Sequence, residues 1–172
     1  MQNQECIDIF EKYLRDDKKS SANTLSSYLR DIRQLGEYLD DHSEHGIIDA
    51  DEEDLSGYIA TLRSNGKSVA TVSRSIASIK CLYSYFCIKQ IIKTNPALGL
   101  VPEKSAQKLP QILTSKEVEL LLEQPQCVDA KGYRDKAMLE LLYATGIRVS
   151  EVRYLTVEAA RQGKAEISLK GK

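Results

Sequence analysis

Five apolar residues, Leu25, Leu29, Ile32, Leu35 and Leu39, recur three or four positions apart. That period is the pitch of an α-helix, so all five fall on one stripe of a helix predicted over 23–39. A stripe of this width must be buried against another element. Tyr28 and Tyr38 flank it, and the opposite face carries Ser27, Arg30, Arg33 and Gln34. Three further stretches repeat the pattern. Ile7, Ile9, Phe10 and Leu14 mark a helix over 5–14; Leu55, Tyr58, Ile59 and Leu62 mark a third; Val72, Ile76, Ile79, Tyr83 and Phe86 mark a fourth over 69–90. The punctuation between them is local chemistry. A polar run spans 16–22, Asp51 with Asp54 reads as a capping box, Asn65-Gly66 as a stop, and Ser68 as a cap. Four stripes of matched width with short connections predict a four-helix bundle.

Asn95-Pro96 closes this unit, which we set at 1–98. Residues 99–112, with Gly99, Pro102, Lys104, Lys108 and Pro110, read as a linker. A second unit, 113–172, opens with Thr114-Ser-Lys-Glu117, another capping box, heading a helix to Leu122 that Gln124-Pro125 ends. A helix follows over 133–143, then a turn, then a helix to about Leu155. Ala165-Glu-Ile-Ser-Leu alternates like a strand before Lys170-Gly171-Lys172. A terminal strand with no partner is unstable alone. The second unit is therefore expected to be an incomplete mixed α/β domain, and the chain as a whole mainly α.

Composition excludes some classes. Hydrophobic residues make up 42% and charged residues 28%, the proportions of a globular protein. No apolar run reaches membrane-span length and the N-terminus is polar, so a cytoplasmic protein with no membrane partner is expected. Cys6, Cys81, Cys87 and Cys127 lack metal-ligand spacing and read as reduced thiols. His42 and His45 sit in an acidic loop; a metal site and a merely solvated loop are both open readings. Net charge is −1, but its distribution is uneven. Residues 40–54 hold eight acids and no Lys or Arg, whereas 62–110 hold eight Lys/Arg and one acid, Glu103. A segregated basic face is the footprint of nucleic-acid binding, though solvated basic faces also occur.

Residues 144–151, Ala-Thr-Gly-Ile-Arg-Val-Ser-Glu, carry the most specific chemistry. Gly146 suits a helix end in the left-handed region. Arg148 then begins a new apolar run (Val149, Val152, Leu155). An arginine beside the unpaired N–H groups of a helix start suits a phosphate, whose oxygens its planar fork matches in pairs. The plain alternative is a surface pair between Arg148 and Glu151.

The run 133–152 resembles the first conserved box of the tyrosine recombinases, or phage integrase family, and more narrowly its XerC/XerD branch. Thr24-Leu-Ser-Ser-Tyr28 and Thr71-x-x-Arg74-x-x-Ala77-x-Ile79 resemble helices of that family's SAM-like core-binding domain; Lys108-Leu-Pro110 and Leu113-Thr-x-x-Glu117 resemble its linker and the start of its catalytic domain. The resemblance implies site-specific DNA recombination: a tyrosine attacks a phosphodiester, a 3′-phosphotyrosyl link stores the bond energy, and neither metal nor other cofactor is needed. It implies duplex DNA as partner and a second recombinase subunit, in the family a tetramer. Chromosome-dimer resolution and mobile-element integration are both served by such proteins.

Residue by residue, the resemblance assigns Arg148 to the nonbridging phosphate oxygens and Glu151 to bracing the site. Lys172 takes the role of general acid, with Lys170 as the competing assignment by register. The family's His-x-x-Arg box and nucleophilic tyrosine have no matching position here, so this chain alone is expected to bind DNA without cleaving it. A non-catalytic accessory or inhibitory DNA-binding module is the alternative. DNA contacts are expected from Ser27, Arg30, Arg33, Lys67, Ser68, Thr71, Arg74 and Lys80; for each, an ordinary solvated helix face is the other reading.

Overall fold

The computed structural model describes residues 2–103 and 111–155. These divide into two compact units, Met1–Gln107 and Lys108–Lys172. The anticipated strand at 165–169 and Lys172 lie outside the described residues. All regular elements within them are helical.

The first unit holds α1 (Asn3–Lys12), α2 (Ala22–His42), α3 (Glu52–Ser64) and α4 (Val69–Ile88). Side-chain caps explain the starts, two of them expected (Asp51 and Ser68) and one, Ser21, lying inside the stretch read as a polar run. Ser21, Asp51 and Ser68 each accept a backbone N–H three residues on, and Asp51 with Asp54 completes the reciprocal box. α3 stops before Gly66, whose φ of 70° needs a residue without a Cβ. The sequence stripes are the core: Phe10, Leu14, Ile32, Leu35, Leu39, Leu55, Ile76, Ile79, Leu82, Tyr83 and Phe86 are all excluded from solvent. Each such side chain contributes about 1.5–3 kcal/mol of transfer free energy. Tyr83 keeps its buried hydroxyl satisfied by donating to the Ile47 carbonyl at 2.7 Å. Asn3 ties three segments together. Its amide donates to Asp40 Oδ1 at 2.8 Å, and its oxygen accepts from the Ile47 N–H at 2.7 Å.

The polar run expected to break the chain at 16 begins instead as a π-helical turn, Tyr13–Asp17. The wider turn keeps Leu14 buried while Tyr13 stacks on Tyr85 at 4.1 Å between ring centroids. Past Asn95-Pro96 the chain still contributes to this core, for Ala97 and Leu100 are buried in it.

The second unit contains α5 (Ser115–Glu123), α6 (Ala130–Thr145) and α7 (Val149–Val152). Thr114 and Glu117 form the anticipated capping box. α6 starts earlier than expected because Asp129 accepts the Gly132 N–H at 2.7 Å. It ends where expected, on Gly146 at φ 66°. The helix anticipated to Leu155 is cut to one turn. Tyr154 and Leu155 bond back three residues, to the Glu151 and Val152 carbonyls, and this tightens the last turn out of α-geometry.

Candidate nucleic-acid interface

Three elements of the first unit converge on one groove of about 300 Å³. It is lined by Arg30, Asp31 and Gln34 from α2, Leu62 from α3, Lys67, and Thr71, Arg74 and Ser75 from α4. α2 supplies its residues because positions 30 and 34 lie one helical turn apart, off the buried stripe. Lys67 and Thr71 sit at the head of α4, where Ser68 Oγ accepts the Thr71 N–H and contacts its hydroxyl at 2.9 Å. The positive end of the helix dipole therefore opens beside Lys67. Four of the eight residues expected to contact DNA (Arg30, Lys67, Thr71 and Arg74) line this groove, and Ser68 caps α4. Ser27, Arg33 and Lys80 are not among its walls. Lys80 instead donates to the Leu98 carbonyl at 3.3 Å.

Beneath the groove lies a residue that sequence reasoning passed over. Asp31 is 1% exposed, on the face of α2 beside Ile32 and Leu35. A buried carboxylate is costly unless paired. Arg74 pairs it through two parallel bonds, Nε to Oδ2 at 3.0 Å and Nη2 to Oδ1 at 2.9 Å. Ser78 Oγ, which donates to the Ser75 carbonyl at 2.8 Å, also lies 3.4 Å from Asp31 Oδ2. The hydrogen bond to Asp31 holds the Arg74 guanidinium protonated, its pKa above the usual value against the opposing effect of burial. The available signal was an acid bordering an apolar stripe.

Ser75, in the groove wall, and Tyr58 of α3 both bury their hydroxyls. Among the described residues neither reaches a partner with full hydrogen-bond geometry. Burial raises the Tyr58 phenol above its usual pKa, although the nearby Ser75 hydroxyl pulls the other way.

In the second unit Arg148 and Glu151 meet at the start of α7. The Arg148 N–H donates to Glu151 Oε2 at 2.6 Å, and Nη1 lies 3.2 Å from Oε1. The pair matches the plain surface reading, with the guanidinium side chain 80% exposed. Lys172 falls outside the described residues.

The two histidines do not act together. His42 stacks on Tyr38 and its Nδ1 lies 3.0 Å from that residue's carbonyl oxygen. His45 Nδ1 is 2.7 Å from Asp54 Oδ2, and Asp51 is near enough that one oxygen or nitrogen from each falls within 4.8 Å of the others. Both carboxylates are already committed to the α3 capping box. Among the described residues no helix is long and apolar enough to cross a membrane.

Comparison with known proteins agrees along the chain. Residues 7–90 match the phage integrase N-terminal SAM-like domain, and residues 111–172 match the phage integrase family. The sequence is 41% identical over 152 residues to the tyrosine recombinase XerD of Oceanobacillus iheyensis, covering 88% of this chain and 51% of that protein. It is 35% identical to XerD of Staphylococcus aureus over 87% of this chain and 52% of the relative. It is 33% identical to the tyrosine recombinase XerC of Roseiflexus castenholzii over 98% of this chain and 54% of the relative. The chain thus spans about half the length of the curated relatives it matches.

Proposed function

This chain belongs to the phage integrase, or tyrosine recombinase, family, and from that premise we propose that its helical unit grips duplex DNA for site-specific strand cleavage and rejoining. The observation that carries this reading is the groove in which Arg30, Lys67, Thr71 and Arg74 converge from separate segments. Cationic side chains at one concave face neutralise phosphates, and the release of condensed counterions drives binding. The α4 N-terminus adds oriented backbone dipole to the same place. Helices presented in this way fit the major groove.

For the strand-transfer chemistry, we assign the nonbridging phosphate oxygens to Arg148, on the family resemblance of residues 133–152. Glu151 uses one oxygen to cap the Arg148 N–H and the other to steady its guanidinium. That leaves donors of an exposed fork for the phosphate. Lys172 would supply the proton to the leaving 5′-oxygen. A second recombinase subunit is the expected partner on DNA, in line with the XerC and XerD names of the relatives.

The test is duplex-DNA binding by the full chain, read by fluorescence anisotropy across a salt series. Micromolar or tighter binding that falls steeply with salt is expected. Lys67→Ala and Arg30→Ala should each weaken it on every sequence and lower the salt slope by about 1. Absent binding at low salt, or binding indifferent to salt and to both substitutions, would overturn the reading.

A further inference from the structure

We propose that Asp31 is a positioning residue for DNA contact: it clamps one edge of the Arg74 guanidinium so that the other edge is presented, rigid, to a backbone phosphate. The inference rests on the DNA-binding reading above and adds a residue of the opposite charge to it.

The argument begins with the donor count. A guanidinium carries five N–H donors in one plane, arranged so that two of its edges can each grip a pair of oxygens. Asp31 takes the edge formed by Nε and Nη2, at 3.0 and 2.9 Å. The edge formed by Nη1 and the second Nη2 proton is not part of that fork. The two partners differ sharply in exposure, the Asp31 side chain at 2% and the Arg74 side chain at 39%. The carboxylate is therefore the fixed anchor and the guanidinium the part that meets solvent, in the wall of the groove shared with Lys67 and Thr71.

A free arginine loses much of its rotamer freedom on being ordered. Here the ordering is done on folding, so a phosphate meets a pre-set fork. The clamp also joins α2 to α4, the two helices that supply most of the groove. Their polar faces are thus held in register at the point of contact.

The reading makes a prediction opposite in sign to simple electrostatics. Removing an acid near DNA should tighten binding by charge alone. If Asp31 positions Arg74, Asp31→Asn weakens duplex binding roughly tenfold despite the gain in net positive charge. Arg74→Lys keeps the charge and loses the planar fork, so it should weaken binding similarly while leaving the salt slope nearly unchanged. Both are measured well below the variant's melting temperature, with helicity checked by circular dichroism, so that loss of fold is not read as loss of contact. A third measurement uses the unaltered chain: the Arg74 Nε–H nuclear resonance should be slow to exchange and remain so with DNA bound, while the Nη signals shift.

Folded Asp31→Asn protein that binds as tightly as the parent or more tightly overturns the proposal. So does an Nε–H resonance that is released when DNA binds. If the parent chain binds no DNA, the broader reading has failed. If Lys67→Ala weakens binding while Asp31→Asn and Arg74→Lys do not, only the positioning role has failed.

Discussion

In the first unit the apolar stripes end buried; in the second, among the described residues, they do not. Leu35 and Leu39 of α2, Leu55 of α3 and Ile79 of α4 are fully enclosed. By contrast Leu120 and Leu121 of α5 are 59% and 49% exposed, Tyr143 of α6 is 65% exposed and Val149 of α7 is 71% exposed. Yet the helices of both units are equally well punctuated. Thr114 with Glu117, Asp129 with the Gly132 N–H, and Gly146 in the left-handed region are as complete as any cap in the bundle. Helix boundaries are thus written in local side-chain chemistry. Helix stability comes chiefly from what the apolar face covers.

The largest expected effect tests that division directly. Leu35→Ala, in the enclosed core, should destabilise the first unit by about 2–5 kcal/mol, from lost transfer free energy and the cavity left behind. Leu121→Ala should cost less than about 1 kcal/mol, because half of that side chain already faces solvent. Urea unfolding followed by circular dichroism measures both. Equal losses would break the comparison, since they would mean that the α5 face is covered in solution.

Caps give the next effect, and here the two units should differ in kind. Asp51→Ala and Thr114→Ala each remove an N-cap acceptor of about 1 kcal/mol. In the bundle the loss is shared across a cooperative unit and appears as a lower melting temperature. In α5 it should appear locally, as faster amide exchange from Val118 onward with little change in the bundle's melting. A Thr114→Ala protein with unchanged α5 protection would show that packing, not the cap, holds that helix.

This contrast explains what the sequence disclosed. The caps at Asp51, Ser68 and Thr114 and the stops at Gly66 and Gly146 were legible because each is decided within four residues. The stripes were legible because burial follows the helical period. The π-helical turn at Tyr13–Asp17 was not; it goes with a stack of Tyr13 on Tyr85, more than seventy positions away, which no local pattern announces. Asp31 was missed for the same reason. Its partner lies 43 residues on, and a charged residue on a helix is ordinarily assigned to solvent. Charge segregation singled out residues 62–110, which contain Lys67 and Arg74 but not Arg30; only packing decides that these three share a groove that Arg33 and Lys80 do not line.

The smallest effect is a pH dependence in which Glu117 of α5 and His45 beside α3 carry opposite signs. In α5, the Glu117 carboxyl accepts the Thr114 backbone N–H at 2.7 Å and the Thr114 hydroxyl at 2.8 Å, which hold its pKa below the usual 4.5. A depressed carboxylate favours the folded form above its unfolded pKa. That help is lost as pH falls through the lower folded value, so α5 should fray in acid. Beside α3, the hydrogen bond with Asp54 raises His45 above its usual 6.5 against the opposing effect of burial. A raised histidine favours the folded form below 6.5, and its contribution disappears as pH climbs through the higher folded value. Burial alone would raise Asp54, but hydrogen bonds from His45, Ser43 and the Asp51 backbone outweigh it and lower the carboxyl. Both sites are exposed, so the changes in stability are small and the titrations themselves are the measurement. A proton resonance titration should place His45 above 6.5 in the parent chain and return it toward 6.5 in Asp54→Asn. A His45 midpoint at or below 6.5 in the parent would mean that this contact does not persist in solution, and the start of α3 would then rest, like α5, on its capping box alone.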